Sequence, residues 1–379
     1  MRIAWVTYGF EEYSAYHVNA LCQEHECLVV IPGDEDGATR CPIDPSIDLY
    51  AFSKPRLREP FKQWLCARRI LKRVHDFHPD VVHFQGGHMW FNFALNSLRR
   101  YPLVLTIHDP RHHAGDRNSR KTPQWLMDYG FRKADHVIVH GEALAVEVNE
   151  IFALERERIH VVPMIARGEE TVGNEVEEDQ NLILFFGRIW DYKGLDQLIA
   201  AQPLINDVVP DARIMIAGQG EDFGRYRALM QDSSKFIVHN EWVSDELRAQ
   251  FFQRSAIVAL PYNEATQSGV VPVAYNYGKP VVATRVGALP ECIDDGVTGL
   301  LIPPRDPQAI ADAVIDLLKN PERRRQMGRA GKAKLDRECS PSVVAQRTAD
   351  AYRSAIKYRG KHATGAVSLE RQEDLQCGS

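Results

Sequence analysis

The chain has no apolar run near the roughly 20 residues that a membrane-crossing helix requires. It also has no cationic excess: 46 Lys and Arg stand against 51 Asp and Glu, for a formal charge of −5. That balance gives no global reason to expect a nucleic-acid partner. The seven cysteines are odd in number, scattered and never spaced CxxC, so a structural zinc and a disulfide framework are not expected and a reducing, cytoplasmic compartment is. The opening Met1-Arg2-Ile3-Ala4-Trp5-Val6 breaks too soon for a secretory leader and reads as a first buried strand. Twelve of the 14 histidines fall at or before His160, with His83, His88, His108, His112 and His113 close together. No HExxH sets them as a ligand pair, and no metal is read from them.

What is present is enough apolar sequence, 44% of 379 residues, to bury more than one core. Short apolar runs alternate with helical patterns. The runs are Ile3–Thr7, Cys27–Ile31, Val81–Phe84, Leu103–Ile107 and Val137–Val139, then Leu182–Phe186, Ile214–Ala217, Ile257–Leu260 and Val281–Ala283. That alternation predicts an α/β fold with two Rossmann-like, doubly wound parallel sheets facing a central cleft. A polar acidic stretch, 169–180, reads as a linker between a first domain, 1–168, and a second, 181–340. One more helical pattern spans 341–358 and is expected to return toward the first domain. The polar residues 359–379 are expected to be disordered.

The strand Leu182–Phe186 runs directly into Gly187-Arg188-Ile189-Trp190-Asp191-Tyr192-Lys193-Gly194 and then a helical pattern. Ligands of open α/β sheets sit at the carboxyl ends of strands, where a following helix offers unpaired N–H groups to an anion. Arg188 adds a fork of donors and Lys193 a mobile point charge. A second turn of this kind follows Ile257–Leu260: Gln267, Ser268, Gly269 and Val270 precede a helix, with backbone N–H groups that a glycine lets a phosphate approach.

Those stretches, with Ile216-Ala217-Gly218-Gln219-Gly220, Tyr277-Gly278-Lys279-Pro280, Gly287-Ala288-Leu289-Pro290-Glu291 and Asp295-Gly296-Val297-Thr298-Gly299, resemble the family 4 retaining glycosyltransferases, which have the GT-B fold. The resemblance covers nearly the whole chain and is most specific in the second domain. It implies a nucleotide-diphosphate sugar as co-substrate, no required metal or other cofactor, and a product that keeps the donor's anomeric configuration. It also implies a hydroxyl acceptor on a glycan, a lipid-linked saccharide or a small glycoside. Arg188 and Lys193 match the family's diphosphate-binding pair, and Gly187 and Gly218 its donor-side turns.

The chain departs from the family in two places. Where two glutamates are expected in the loop after Leu260, counting back from Gly278 puts Val273 at the second, ribose-holding position and Ala265 at the first, beside Glu264. Glu264 is taken as the carboxylate near the donor sugar, with a loop one residue longer. A valine cannot accept a hydrogen bond from ribose. After the first strand, where paired glycines are usual, only Gly9 is present and is taken as a donor contact. His108, in the turn after Leu103–Ile107, is the expected sugar-contacting histidine, with Arg111, His112 and His113 beside it on the acceptor side.

From Lys54 to Arg73, eight cations face one acid, Glu59, with Phe61, Trp64, Leu65 and Leu71 interleaved. An ordinary surface helix, apolar side to the core, is the first reading. Peripheral contact of 54–73 with an anionic membrane is the alternative. Three rival functions also fit parts of the sequence: a dehydrogenase on Gly218-Gln219-Gly220-Glu221-Asp222-Phe223-Gly224, a sugar phosphorylase, and a non-catalytic nucleotide-sugar binder. The first is weakened by its GxGxxxG spacing and its place in the second strand unit of its domain.

Overall fold

The computed structural model describes residues 1–33, 41–113, 122–166 and 176–376, with side chains to residue 361. The first sheet is built from β1 (Arg2–Thr7), β2 (Glu26–Pro32), β3 (Asp48–Phe52), β4 (Val81–Gln85), β5 (Leu103–Thr106), β6 (His136–Val139) and β7 (Ile159–Val161). The second is built from β8 (Leu182–Phe186), β9 (Arg213–Ala217), β10 (Phe236–His239), β11 (Ile257–Leu260), β12 (Val281–Thr284) and β13 (Gly299–Ile302). The spatial orders are β3-β2-β1-β4-β5-β6-β7 and β10-β9-β8-β11-β12-β13, and every pairing is parallel.

The nine runs read from sequence are the nine interior strands of these sheets. Interior parallel strands are covered on both faces and so appear as continuous apolar runs. The four strands absent from that reading, β3, β7, β10 and β13, are the four edges. They are short or half-exposed, as in the mixed burial of Asp48–Phe52.

In each sheet the chain winds outward in one direction and then crosses back to continue in the other, between β1 and β4 and between β8 and β11. At such a switch point the two connections diverge and leave a crevice beyond the strands' carboxyl ends.

The helix Pro341–Gln376 packs on the first sheet: Val344, Ala351, Tyr352 and Ala355 share a core with Ile3, Trp5, Val29 and Ile138. The Tyr352 hydroxyl lies 2.6 Å from His83 Nδ1 and Thr348 Oγ1 3.1 Å from His17 Nε2. The helix runs past residue 358 to Gln376.

Of the expected linker 169–180, residues 169–175 lie outside the described residues. The remainder is tied to the second domain by Arg324, 1% exposed. Its guanidinium donates to the Gln180 carbonyl and the Glu178 carboxylate, both at 3.2 Å.

Candidate active site

The two switch points face one another across a cavity of about 680 Å³. Phe10, Gly86, His108 and His113 line it from the first domain, and Arg188, Lys193, Tyr262, Gln267 and Ser268 from the second. This is the size and setting of a small-molecule site.

On the second-domain side, β8 ends in Gly187, whose φ of +117° turns the chain. Arg188 is exposed and donates through Nη2 to the Tyr192 hydroxyl at 3.3 Å. Gly194, at φ +63°, has room only for hydrogen, since a Cβ there would sit 1.9 Å from the Pro261 carbonyl oxygen. This close approach presses the turn Asp191–Lys193 against Tyr262, and Lys193 Nζ lies 3.6 Å from the Tyr262 ring centre. Burial, and then the nearby Arg188 charge, push the Lys193 ammonium down to about 7 against a smaller opposing pull from Asp109. The two cations thus repel each other at a half-buried site that an anion would relieve.

The loop after β11 supplies the facing wall. Ser268 is buried, its hydroxyl 3.3 Å from that of Tyr262 and accepting from the Val270 N–H at 3.3 Å. Gly269 and Val270 then open the helix Val270–Asn276. Thr266 and Gln267 reach the first domain. Gln267 Nε2 lies 2.9 Å from His108 Nδ1, and Gln85 holds the other ring nitrogen. Both contacts come from amide nitrogens, and a neutral imidazole has one acceptor nitrogen, so it accepts an N–H from one of the two glutamines. The Phe10 ring stacks on His108 at 4.1 Å.

Asp109 accepts from the Thr266 hydroxyl and sits 3.1 Å from His113 Nε2. Burial would raise its carboxyl, but the hydrogen bond and charge of His113 and the Thr266 hydroxyl outweigh it and hold Asp109 at about 2. The His113 ring also stacks on Tyr192 of the second domain at 4.6 Å.

Of the residues expected from sequence, His108, Gly187, Arg188, Lys193, Gln267, Ser268, Gly269 and Val270 all line the one cavity. Gly9 and Glu264 do not. At the first turn the wall is made by Phe10, in the left-handed region at φ +59°, and by Glu12. Glu264 is exposed because the Asn263 and Glu264 N–H groups bond to the Tyr192 carbonyl at 2.8 and 3.3 Å. That contact turns the loop outward before Thr266 brings it back.

Gly218, at φ +145°, backs the grip from behind: a Cβ there would lie 1.9 Å from the Gly187 carbonyl oxygen. Gly220 packs as tightly on Ile189, and the helix that follows, Gly224–Arg227, has four residues. This loop braces its neighbour rather than opening a long dinucleotide-binding helix. Asp109, Thr266, Phe10 and Glu12 were not found by sequence reasoning. Asp109 adjoins His108, the one signal that pointed to it.

Beyond Arg188 a second chamber of about 970 Å³ opens between the loop Gly218–Asp222 and Glu241–Val243, with Trp242 74% exposed. Among the described residues, no group of three His, Cys, Asp or Glu side chains could hold a metal ion.

Residues 8–164 match the family model Glycosyltransferase Family 4 and residues 180–320 the model Glycosyl transferases group 1. The chain is 28% identical over 304 residues to glycogen synthase of Mycobacterium tuberculosis, covering 73% of this chain and 69% of that one. Among solved structures it is similar to sucrose-phosphate synthase from Thermosynechococcus elongatus, with TM-score 0.75, 16% identity, and 93% and 98% of the two chains covered. It is also similar to Anabaena HepE in complex with UDP-glucose, with TM-score 0.66, 17% identity, and 93% and 100% covered. The two models meet across the same two sheets that enclose the cleft, and the chain belongs to the family 4 glycosyltransferases of GT-B fold, enzymes that transfer a sugar from a nucleotide sugar.

Proposed function

We propose that this enzyme holds the donor's diphosphate between Arg188, Lys193 and the turn 268–270, with the backbone N–H groups of Ser268 and Gly269 as donors. The sugar then passes, with retention of configuration and without a required metal, to a hydroxyl of a carbohydrate or lipid-linked acceptor on the first-domain side. The observation that carries this reading is the placement of both cations and the Ser268 turn on one cavity, opposite His108.

Breaking the bond from sugar to phosphate leaves an oxocarbenium-like ring and a diphosphate gaining negative charge. Arg188 and Lys193 stabilise that leaving group with charges already in position. Asp109 stays ionised throughout the neutral range and offsets the positive charge of the ring. His108, fixed between Gln85 and Gln267, orients a sugar hydroxyl. The acceptor oxygen enters from the face the diphosphate leaves and gives its proton to a phosphate oxygen, so the configuration is kept.

Thermal shift with UDP-, GDP- and ADP-sugars tests the donor. Binding raises the melting temperature by mass action, and no rise with any of them would overturn the reading. Transfer in EDTA, with the product anomer read by NMR, tests metal independence and retention.

A cytoplasmic enzyme touching an anionic membrane is a second part of the proposal. In the helix Pro60–Phe77 the buried residues are Gln63, Cys66, Ile70, Val74 and Phe77. Phe61 and Trp64 face outward, 71% and 51% exposed, with Arg68 4.7 Å from the Trp64 ring centre. Exposed aromatics among cations suit a headgroup interface, whereas no helix among the described residues is long and apolar enough to cross a membrane. Binding to phosphatidylglycerol vesicles should fall with salt and be lost in Phe61→Ser/Trp64→Ser; equal binding by that variant would remove the surface from consideration.

A further inference from the structure

A nucleotide sugar is laid out in a fixed order: base, ribose, diphosphate, sugar. The two chambers of the cleft match that order. The grip of Arg188 and Lys193 takes the diphosphate in one. In the other, an open slot with the Trp242 ring exposed at its wall suits a flat base, since an aromatic face stacks on any of them. The ribose must then lie where the chambers meet.

The residues common to both walls are Glu12, Phe186, Gly187, Arg188 and Arg248. Ribose offers a pair of vicinal hydroxyls, and the group that holds such a pair must accept hydrogen bonds. Phe186 and Gly187 have no side-chain acceptor, and the two arginines are donors only. Val273, on the second-domain side of the first chamber, is apolar. Glu12 is the one carboxylate among the shared residues.

It is also held in place. Glu12 Oε1 lies 2.9 Å from Arg248 Nη2, and Arg248 is itself 3.3 Å from Asp245, so an ion pair bridges the domains at the junction. The Glu12 side chain keeps 28% of its surface open and that of Arg248 10%. A carboxylate has about four acceptor sites, enough to pair with the Arg248 charge and accept from a ribose hydroxyl together.

We propose that Glu12 binds the donor's ribose hydroxyls from the first domain, oriented by Arg248 of the second, and supplies the carboxylate that position 273 lacks. Ribose recognition then requires both domains, and a nucleotide bridges them as it binds. This inference rests on the donor-site reading above.

Titration calorimetry on the full chain tests it, with UDP, GDP and ADP and with the 2′-deoxy and 3′-deoxy forms of whichever binds tightest. The wild type should prefer the ribonucleotide over at least one deoxy form by roughly 10-fold, the scale of one charge-assisted hydrogen bond. Glu12→Ala should lose that preference, and Glu12→Ala/Val273→Glu should regain it. A merely structural ion pair would instead weaken ribo- and deoxynucleotides equally, leaving the ratio intact, which would overturn the proposal. Glu12→Gln, which keeps the shape, serves if the alanine variant unfolds, with a reduced ratio expected. Failure of the wild type to bind any of the three ribonucleotides would overturn the donor site itself, a different outcome from binding without ribose preference.

Discussion

Lys193 Nζ lies 3.6 Å from the centre of the Tyr262 ring and 5.0 Å from that of Tyr192, so the grip's mobile cation sits among aromatic faces with Arg188 beside it. Burial and Arg188 push it down to about 7. A bound diphosphate favours the charged form and raises it again. At pH 8 about one free Lys193 in ten is protonated, so binding a nucleoside diphosphate should take up close to one proton, and affinity should fall as pH rises above 7. Calorimetry at pH 8 in buffers of different ionisation enthalpy measures the uptake. Lys193→Arg, charged at every accessible pH, should abolish it; undiminished uptake in that variant would mean another group titrates.

The catalytic share of the grip is a separate expectation. Each preorganised donor on a developing anion contributes roughly 3 kcal/mol in the transition state. Arg188→Ala or Lys193→Ala should therefore lose on the order of 100-fold in turnover while keeping the wild-type circular dichroism spectrum. Near-normal turnover in either folded variant would remove that residue from the leaving-group site.

Glu291 joins the domains away from the chemistry. Its carboxylate accepts from the Glu142 and Ala143 N–H groups at 2.6 and 2.7 Å, capping the first-domain helix Glu142–Phe152 from the second domain. Gly141 permits the approach, since a Cβ there would lie 2.7 Å from the Ala288 Cβ. A cap and its charge at a helix N-terminus are each worth about 1 kcal/mol. Glu291→Ala should shift the chain toward an open form, with a larger radius of gyration in solution scattering and a raised KM for the donor. A scattering profile identical to wild type would show that the cap does not hold the domains closed.

The same residue shows where sequence reading stops. Glu291 was legible only as part of a recognised motif, because a cap on a helix some 150 residues away leaves no local pattern. Interior strands such as Leu182–Phe186 were legible because two-sided burial demands unbroken apolar sequence, whereas edges such as Phe236–His239 carry no such demand. Arg188 and Lys193 were legible because one strand, one turn and one helix position them. Asp109 and Thr266 were not: each becomes a site residue only when the other domain closes on it.

The buried histidines give the chain an acid limit. His83 is held between Tyr352 and Thr106 at 2.6 and 2.8 Å, and His88 stacks on Tyr8 at 3.9 Å. Burial pushes His83 down to about 3 despite a supporting bond from Gln85, and burial with the nearby Lys54 pushes His88 down to about 3. An unfolded chain takes up these protons as pH falls through about 6.5, and the folded chain does not until near 3. Their contribution to stability is therefore complete above pH 6.5 and is lost as pH falls toward 3. Each histidine costs about 1.4 kcal/mol at pH 5.5, so the pair should remove about 3 kcal/mol between pH 7.5 and 5.5. Urea unfolding at the two pH values measures the loss, and His88→Gln, with nothing to titrate there, should show roughly half of it from this pair. Equal stability at both pH values would mean that these imidazoles accept protons in the folded chain.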